Sequence, residues 1–104
     1  MKPILFVLKM PFEDNDVEGS NNSIWFCSHC ALIEGALAIN PSWNDHIEVR
    51  RIPFERPRNE VVEILGKDNQ WLPVLILNKE NTLTDPLEIT NYLASTYGGA
   101  APHP

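Results

Sequence analysis

Two cysteines spaced three residues apart are the residues of this sequence best suited to chemistry. They occur in the order Cys27-Ser28-His29-Cys30. In an intracellular chain this spacing is typical of thiol–disulfide exchange or metal binding, because a disulfide-stapled secreted fold uses more cysteines. His29 adds an imidazole that can carry a positive charge or donate a hydrogen bond to a thiolate. The alternative is that the cysteines are buried small side chains and that His29 is an exposed polar residue without a role.

The helix that is predicted around these cysteines gives them different tasks. Apolar spacing predicts a helix over 28–39, and Asn40-Pro41 ends it. Cys27 therefore lies at the helix N-terminus, where unpaired N–H groups and a partial positive charge stabilise a thiolate. Cys30 lies one turn further on the same face, within reach of a disulfide. We expect Cys27 to be the exposed attacking thiolate and Cys30 the resolving thiol.

The other sequence patterns predict a single α/β domain. Short apolar or alternating runs predict four strands, over residues 3–10, 46–52, 73–77 and 82–84. Capping residues and apolar spacing predict two more helices, over 57–65 and from Pro86 to the stop at Gly98. The order βαβ-α-ββ-α predicts a four-stranded mixed sheet with helices on both faces, because strands joined through a helix pair in parallel. Residues 11–23 are expected to form an acidic surface loop, and 98–104 a flexible tail.

Length and charge exclude several classes of protein. The 104 residues are 43% hydrophobic and 21% charged, which indicates one folded domain rather than a disordered chain. Eight basic against 14 acidic residues give a net charge of −6, which disfavours nucleic acid and anionic membrane partners. No apolar run is long enough to span a bilayer, and no secretory signal is evident. We therefore expect a cytoplasmic protein.

The element order resembles the thioredoxin fold, nearer to glutaredoxins and to the N-terminal domain of glutathione transferases. The resemblance rests on a Cys-x-x-Cys motif that opens the first helix and on Pro73, which opens the third strand. Closer similarity is seen to a family of small bacterial thioredoxin-like proteins of unknown function. The segments that carry it are Phe26-Cys27-Ser28-His29-Cys30-Ala31, Arg56-Pro57-Arg58, residues 69–75 and Thr84-Asp85-Pro86. Together the two resemblances cover most of the chain.

The thioredoxin resemblance implies a substrate-binding region opposite the cysteines. It implies a cis peptide at Leu72-Pro73 that faces Cys27 and leaves the Leu72 backbone free to pair with a peptide or glutathione. It also makes Asp85 a candidate for binding the γ-glutamyl amine of glutathione, and Gln70 a candidate for a substrate carboxylate. The alternatives are that Pro73 only begins a strand, that Asp85 only caps the last helix and that Gln70 is a solvated loop residue.

Half of the basic residues lie in a nine-residue stretch at and beyond the C-terminal end of the second strand. They are Arg50, Arg51, Arg56 and Arg58. Parallel pairing of the first two strands would place this stretch at the same sheet edge as Cys27, where it would attract an anionic substrate. The alternative is a solvated face whose charge is balanced by Glu48, Glu55 and Glu60.

These patterns favour a thiol–disulfide oxidoreductase that acts on protein or glutathione mixed disulfides and uses no cofactor. A non-catalytic thioredoxin-like binding module is one alternative. A metal or iron–sulfur site formed by the same cysteines is another, although structural zinc usually has four ligands. His46 is expected at the opposite end of the sheet, and His103 is the histidine that a mobile tail could bring closer. The oligomeric state is not indicated by the sequence.

Overall fold

A four-stranded mixed sheet forms the centre of the molecule, in a computed structural model that describes residues 2–17 and 24–104. The strands are β1 (Ile4–Leu8), β2 (Phe12–Glu13), β3 (Ile24–Trp25), β4 (Glu48–Ile52), β5 (Val74–Asn78) and β6 (Asn81–Leu83), and the helices are α1 (Ser28–Ile39), α2 (Asn59–Leu65) and α3 (Pro86–Tyr97). The sheet order is β4-β1-β5-β6, with β1 parallel to β4 and antiparallel to β5. The predicted fold class is confirmed.

The central strand β1 is buried on both faces, and from Ile4 to Val7 its side chains alternate between two hydrophobic clusters. Leu5 and Val7 pack into a cluster with residues of α1 and α3, whereas Ile4 and Phe6 pack into a cluster with Val61 of α2. Helices therefore cover both faces of the sheet, as the sequence predicts. In the described part of the chain, no helix combines the length and the apolar character that are needed to cross a bilayer.

Most element boundaries follow the sequence, and the exceptions have local causes. Helix α1 has the predicted bounds, and α3 begins after Asp85, whose carboxylate accepts the Leu87 N–H at 2.9 Å. Strand β4 begins two residues later than predicted, because a 3-10 helix over Pro41–Asp45 precedes it. Helix α2 also begins two residues later than predicted, at Asn59, with Arg58 as its N-cap.

A two-stranded antiparallel ribbon replaces part of the predicted acidic loop. In this ribbon of β2 and β3, Phe12 faces Trp25 and Glu13 faces Ile24. The Phe12 ring also stacks on the Phe54 ring, with centroids 4.5 Å apart. A strand of two residues is too short to show an alternation of apolar and polar residues, so the sequence predicts only a loop here. The remainder of that predicted loop, residues 18–23, lies outside the described residues.

The segment after α3 is hydrogen-bonded to the C-terminal end of α1. The Ala100 N–H donates to Asn40 Oδ1 at 2.7 Å, and Asn40 Nδ2 donates to the Ala100 carbonyl at 3.1 Å. Trp43 Nε1 donates to the Gly98 carbonyl at 2.7 Å. These bonds tie the beginning of the tail to the domain, and the flexibility expected for 98–104 stays a prediction.

Two glycines provide opposite tests of this packing. Gly35 is exposed within α1, and a Cβ there would meet nothing within 4 Å, so Gly35→Ala should raise the free energy of unfolding by about 0.5–1 kcal/mol. Gly99 has a φ of +99°, and a Cβ there would overlap Asn40 Oδ1, so Gly99→Ala should lower it by more than about 1 kcal/mol. Urea unfolding followed by circular dichroism measures both changes. Unchanged stability in G99A would contradict the packing of the tail on α1.

Candidate functional site

The two cysteines lie at the start of α1, where they differ in depth. Cys27 is the half-buried N-cap residue, and its Sγ accepts the Cys30 N–H at 3.2 Å. Cys30 is fully buried, and its Sγ accepts the Leu8 N–H from the end of β1 at 3.4 Å. Both are free thiols. Cys27 has the predicted position at the helix N-terminus, but its side chain is half-buried rather than exposed.

Burial gives Cys30 the character of a thiol at neutral pH. It raises the pKa of Cys30 from the ordinary value of 9.0 to about 12, because a buried thiolate loses the solvation of water. A hydrogen bond and charge from Cys27, and the charge of Glu34, raise this pKa further, whereas the Leu8 N–H lowers it. The structure therefore contrasts a half-buried cysteine, Cys27, with a buried one, Cys30, that stays protonated at neutral pH.

The histidines do not join the cysteines in a common cluster. His29 is exposed in the first turn of α1, and its imidazole has no hydrogen bond or ion pair with any described residue. His46 stacks on Tyr97, with ring centroids 4.5 Å apart. His103 follows Ala100, which is bonded to the far end of α1. Across residues 2–17 and 24–104, no group of three or more His, Cys, Asp or Glu side chains is placed to hold a metal ion.

A third sulfur atom, from Met10, lies beside Cys27. The Cys27 N–H donates to Met10 Sδ at 3.1 Å. The β2–β3 ribbon accounts for this contact, because its pairing of Phe12 with Trp25 places Met10 opposite Cys27 when the register is continued. Sequence reasoning missed Met10, and no motif marks it, because its position depends on a ribbon that the sequence does not reveal.

The Leu72-Pro73 segment lies at the same edge of the sheet as the cysteines. Its peptide bond is cis, as the thioredoxin resemblance implies. Strand register gives its position: Phe6 faces Val74 across the β1–β5 pair, so that continuing the register brings Leu72 abreast of Leu8. Because the Leu8 N–H also binds Cys30 Sγ, the segment and the cysteines share this edge. A direct contact with the Cys27 sulfur stays a prediction.

Arg58 is a buried cation whose guanidinium is held by backbone carbonyls. The residue is 6% exposed, with Nε and Nη2 donating to the Phe54 carbonyl and Nη1 donating to the Gln70 carbonyl. No carboxylate in the described part of the chain forms an ion pair with it. Burial lowers the pKa of Arg58, as does the positive charge of Arg56, whereas negative charge on Cys30 raises it. Arg58 is thus electrostatically linked to the buried cysteine.

The structure gives Gln70 and Asp85 local structural tasks. Gln70 Oε1 accepts the Arg58 N–H at 2.8 Å, and Nε2 donates to the Lys67 carbonyl at 2.8 Å. Asp85 caps α3 through its bond to Leu87. The predicted contacts of Gln70 and Asp85 with a substrate stay predictions.

The arginine stretch divides into paired and unpaired members. Arg51 forms two bonds to Glu34, at 2.7 and 2.8 Å, and Arg50 pairs with Glu48. The Arg56 guanidinium instead lies 5.5 Å from the centroid of the exposed Trp71 ring. Arg50 and Arg51 therefore fit the alternative of a charge-balanced face, whereas Arg56 and Arg58 form no ion pair among the described residues, although the charge of Glu55 acts on Arg58.

The Arg58 guanidinium joins the Phe54 and Gln70 carbonyls, which predicts a stability difference between two matched substitutions. A lysine cannot reproduce the fork that reaches two carbonyls, so Arg58→Lys should lower the free energy of unfolding by about 1–3 kcal/mol. Arg56→Lys, at an exposed position, should change it by less than about 0.5 kcal/mol. Urea unfolding of both variants measures the difference, and equal stabilities would show that the guanidinium bonds contribute little.

Comparison with known proteins assigns the chain to a family. A family model described as "Protein of unknown function (DUF3088)" matches residues 2–97, a range that includes both cysteines, Met10 and Leu72-Pro73. No curated protein and no solved structure matches the chain. Because the family model matches most of the chain, the protein belongs to DUF3088, a family of proteins of unknown function.

Proposed function

We propose that the protein is a thiol–disulfide oxidoreductase that acts on protein or glutathione mixed disulfides through Cys27 and Cys30. One observation carries the proposal: the sulfur of a half-buried cysteine at a helix N-terminus accepts the backbone N–H of a second, buried cysteine one turn further on. The helix N-terminus favours negative charge on Cys27, which suits it to nucleophilic attack. The resemblance of the fold to thioredoxins supports the same assignment.

The reaction proceeds in two exchanges. The Cys27 thiolate attacks one sulfur of a substrate disulfide, R–S–S–R′, which forms a mixed disulfide with R and releases R′S⁻. Cys30 then attacks Cys27 Sγ, which forms the Cys27–Cys30 disulfide and releases RS⁻. Two electrons pass from the protein to the substrate, and the protons of the two cysteines appear on the two released thiols.

The second exchange requires Cys30 to lose its proton. Because burial raises the pKa of Cys30 to about 12, the attacking thiolate is a minor species at neutral pH; its proton passes to solvent, and the released RS⁻ takes up a proton from solvent. The Leu8 N–H already bonds to Cys30 Sγ and stabilises the negative charge that develops there. The positive charge of Arg58 acts in the same direction, in a chain whose first strand has no aspartate.

The backbone of Leu72 supports a binding site for an extended substrate. Its N–H and carbonyl have no hydrogen-bond partner among the described residues. A peptide or glutathione strand laid beside this segment would supply those partners by strand addition. The exposed rings of Phe26 and Trp71, both 68% accessible, would flank such a strand.

A non-catalytic binding module is the second candidate function. The observation that favours it is the burial of Cys30, whose Sγ satisfies a backbone N–H as a structural cysteine would. Under this alternative the two thiols would remain reduced in any physiological thiol buffer.

Equilibration in glutathione buffers distinguishes the two candidates. Reduced protein is incubated with mixtures of glutathione and glutathione disulfide, quenched with an alkylating reagent and analysed by mass spectrometry. We expect a reversible Cys27–Cys30 disulfide, and in Cys30→Ser a trapped mixed disulfide on Cys27. Cys27→Ser is the matched control and should form neither. If both thiols of the wild-type protein are alkylated at every ratio of glutathione to glutathione disulfide, the oxidoreductase proposal is wrong.

Alkylation should modify Cys27 before Cys30 in the folded protein. Cys27 is half-buried, whereas Cys30 is fully buried and keeps its proton because its pKa is raised to about 12. Stopped-time labelling with iodoacetamide and peptide mapping identifies the site that reacts first. First modification at Cys30 would reverse the assigned roles.

The pKa of Cys30 also predicts how stability depends on pH. The unfolded chain loses this proton near pH 9.0 and the folded chain near 12, so the folded state binds more protons between these values. The free energy of unfolding should therefore fall as the pH rises through this window. Below the window Cys30 is protonated in both states and contributes nothing to the pH dependence of stability. Urea unfolding at pH values of about 8 and about 10.5 should show a steeper loss for wild type than for Cys30→Ala. Parallel losses would contradict the raised pKa.

A further inference from the structure

A series of N–H···S contacts links Met10, Cys27 and Cys30 beside the C-terminal end of β1. The Cys27 N–H contacts Met10 Sδ at 3.1 Å, and the Cys30 N–H contacts Cys27 Sγ at 3.2 Å. Each contact joins a sulfur to the backbone nitrogen of the next cysteine, whose own Sγ is three covalent bonds from that nitrogen. Two segments, the loop before β2 and the start of α1, supply these atoms.

We propose that Met10, Cys27 and Cys30 form a three-coordinate binding site for Cu(I). Two thiolates and a thioether form a soft, sulfur-only ligand set, which selects Cu(I) over harder cations. Zinc is a poorer match because structural zinc takes four Cys or His ligands, and the described residues provide no such group here. An iron–sulfur cluster usually takes four cysteine ligands, and the chain has two.

The ligands can reach a metal ion by side-chain rotation. Met10 and Cys27 are half-buried, so an ion arriving from solvent meets these two sulfurs before Cys30. Met10 is attached by a flexible, unbranched side chain, and its contact with an amide N–H is weak enough for a metal ion to replace it. Cys30, fixed by the Leu8 N–H, closes the site from the core side.

The charge of the complex matches its surroundings. Binding exchanges two thiol protons for one Cu(I), which leaves a complex with two thiolates and a net charge of −1. Arg58 is a buried cation with no carboxylate partner among the described residues. Its guanidinium lies over the Phe54 ring and interacts electrostatically with Cys30, so its positive charge favours the anionic complex, whereas the charge of Glu34 opposes it.

This inference does not depend on the proposed oxidoreductase activity. Copper binding requires the reduced dithiol, and it can occur in a protein that never exchanges disulfides. Conversely, Met10 takes no part in the two exchange steps. A failure of copper binding in a protein that forms the Cys27–Cys30 disulfide would overturn the site alone, and the reverse result would overturn the oxidoreductase proposal alone.

Competition for Cu(I) tests the site. Reduced protein is titrated anaerobically with Cu(I) against a chromophoric Cu(I) chelator, which gives the stoichiometry and the dissociation constant. We expect one Cu(I) per chain, with affinity lowered at least about tenfold by Met10→Leu and further by either cysteine-to-serine substitution. Met10→Cys, which keeps a sulfur ligand, should retain tight binding. Absence of binding, tighter binding of Zn(II), or an affinity in M10L equal to that of wild type would overturn the proposal.

X-ray absorption at the copper edge gives a second readout that does not depend on affinity. We expect three sulfur neighbours in wild type and two in M10L. Two sulfurs in both proteins would exclude Met10 as a ligand. Circular dichroism and a count of titratable thiols in each variant establish that M10L is folded and reduced, so that a changed coordination number reports the site rather than the fold.

Discussion

The hydrogen bond from the Leu8 N–H to Cys30 Sγ joins the sheet to helix α1, and the arrangement of the site depends on it. It fixes the first turn of α1 above the end of β1, which in turn sets where Cys27 begins the helix. The same β1 residue lies abreast of Leu72 by strand register. Both the cysteines and the Leu72-Pro73 segment therefore lie at the C-terminal end of β1, where this contact forms.

The sequence predicts the regular elements well because their signals are local. Asp85 caps α3 and Asn40 follows the last residue of α1, and both are recognisable from a few neighbouring residues. The positions of Met10 and Arg58 are different, since they depend on contacts with residues distant in the chain or on very short strands. Arg58 is one of four arginines in the sequence, and only the carbonyls of Phe54 and Gln70 distinguish it.

The four arginines contribute unequally to the electrostatics of the site. Arg50 and Arg51 are neutralised by glutamates, and Arg56 is solvated beside Trp71. Arg58 is screened less because it is removed from water, so its charge extends further through the protein. This desolvated cation interacts with Cys30, where the charge of Glu34 acts in the opposite direction.

The two edge strands of the sheet have features that discourage association with other sheets. At one edge, β4 carries the charged residues Glu48, Arg50 and Arg51, and at the other, β6 has only three residues. An exposed edge strand can template aggregation, and charge and shortness are two ways in which natural proteins prevent it. The charged side chains of β4 and the shortness of β6 therefore disfavour the pairing of either edge with a strand of another molecule.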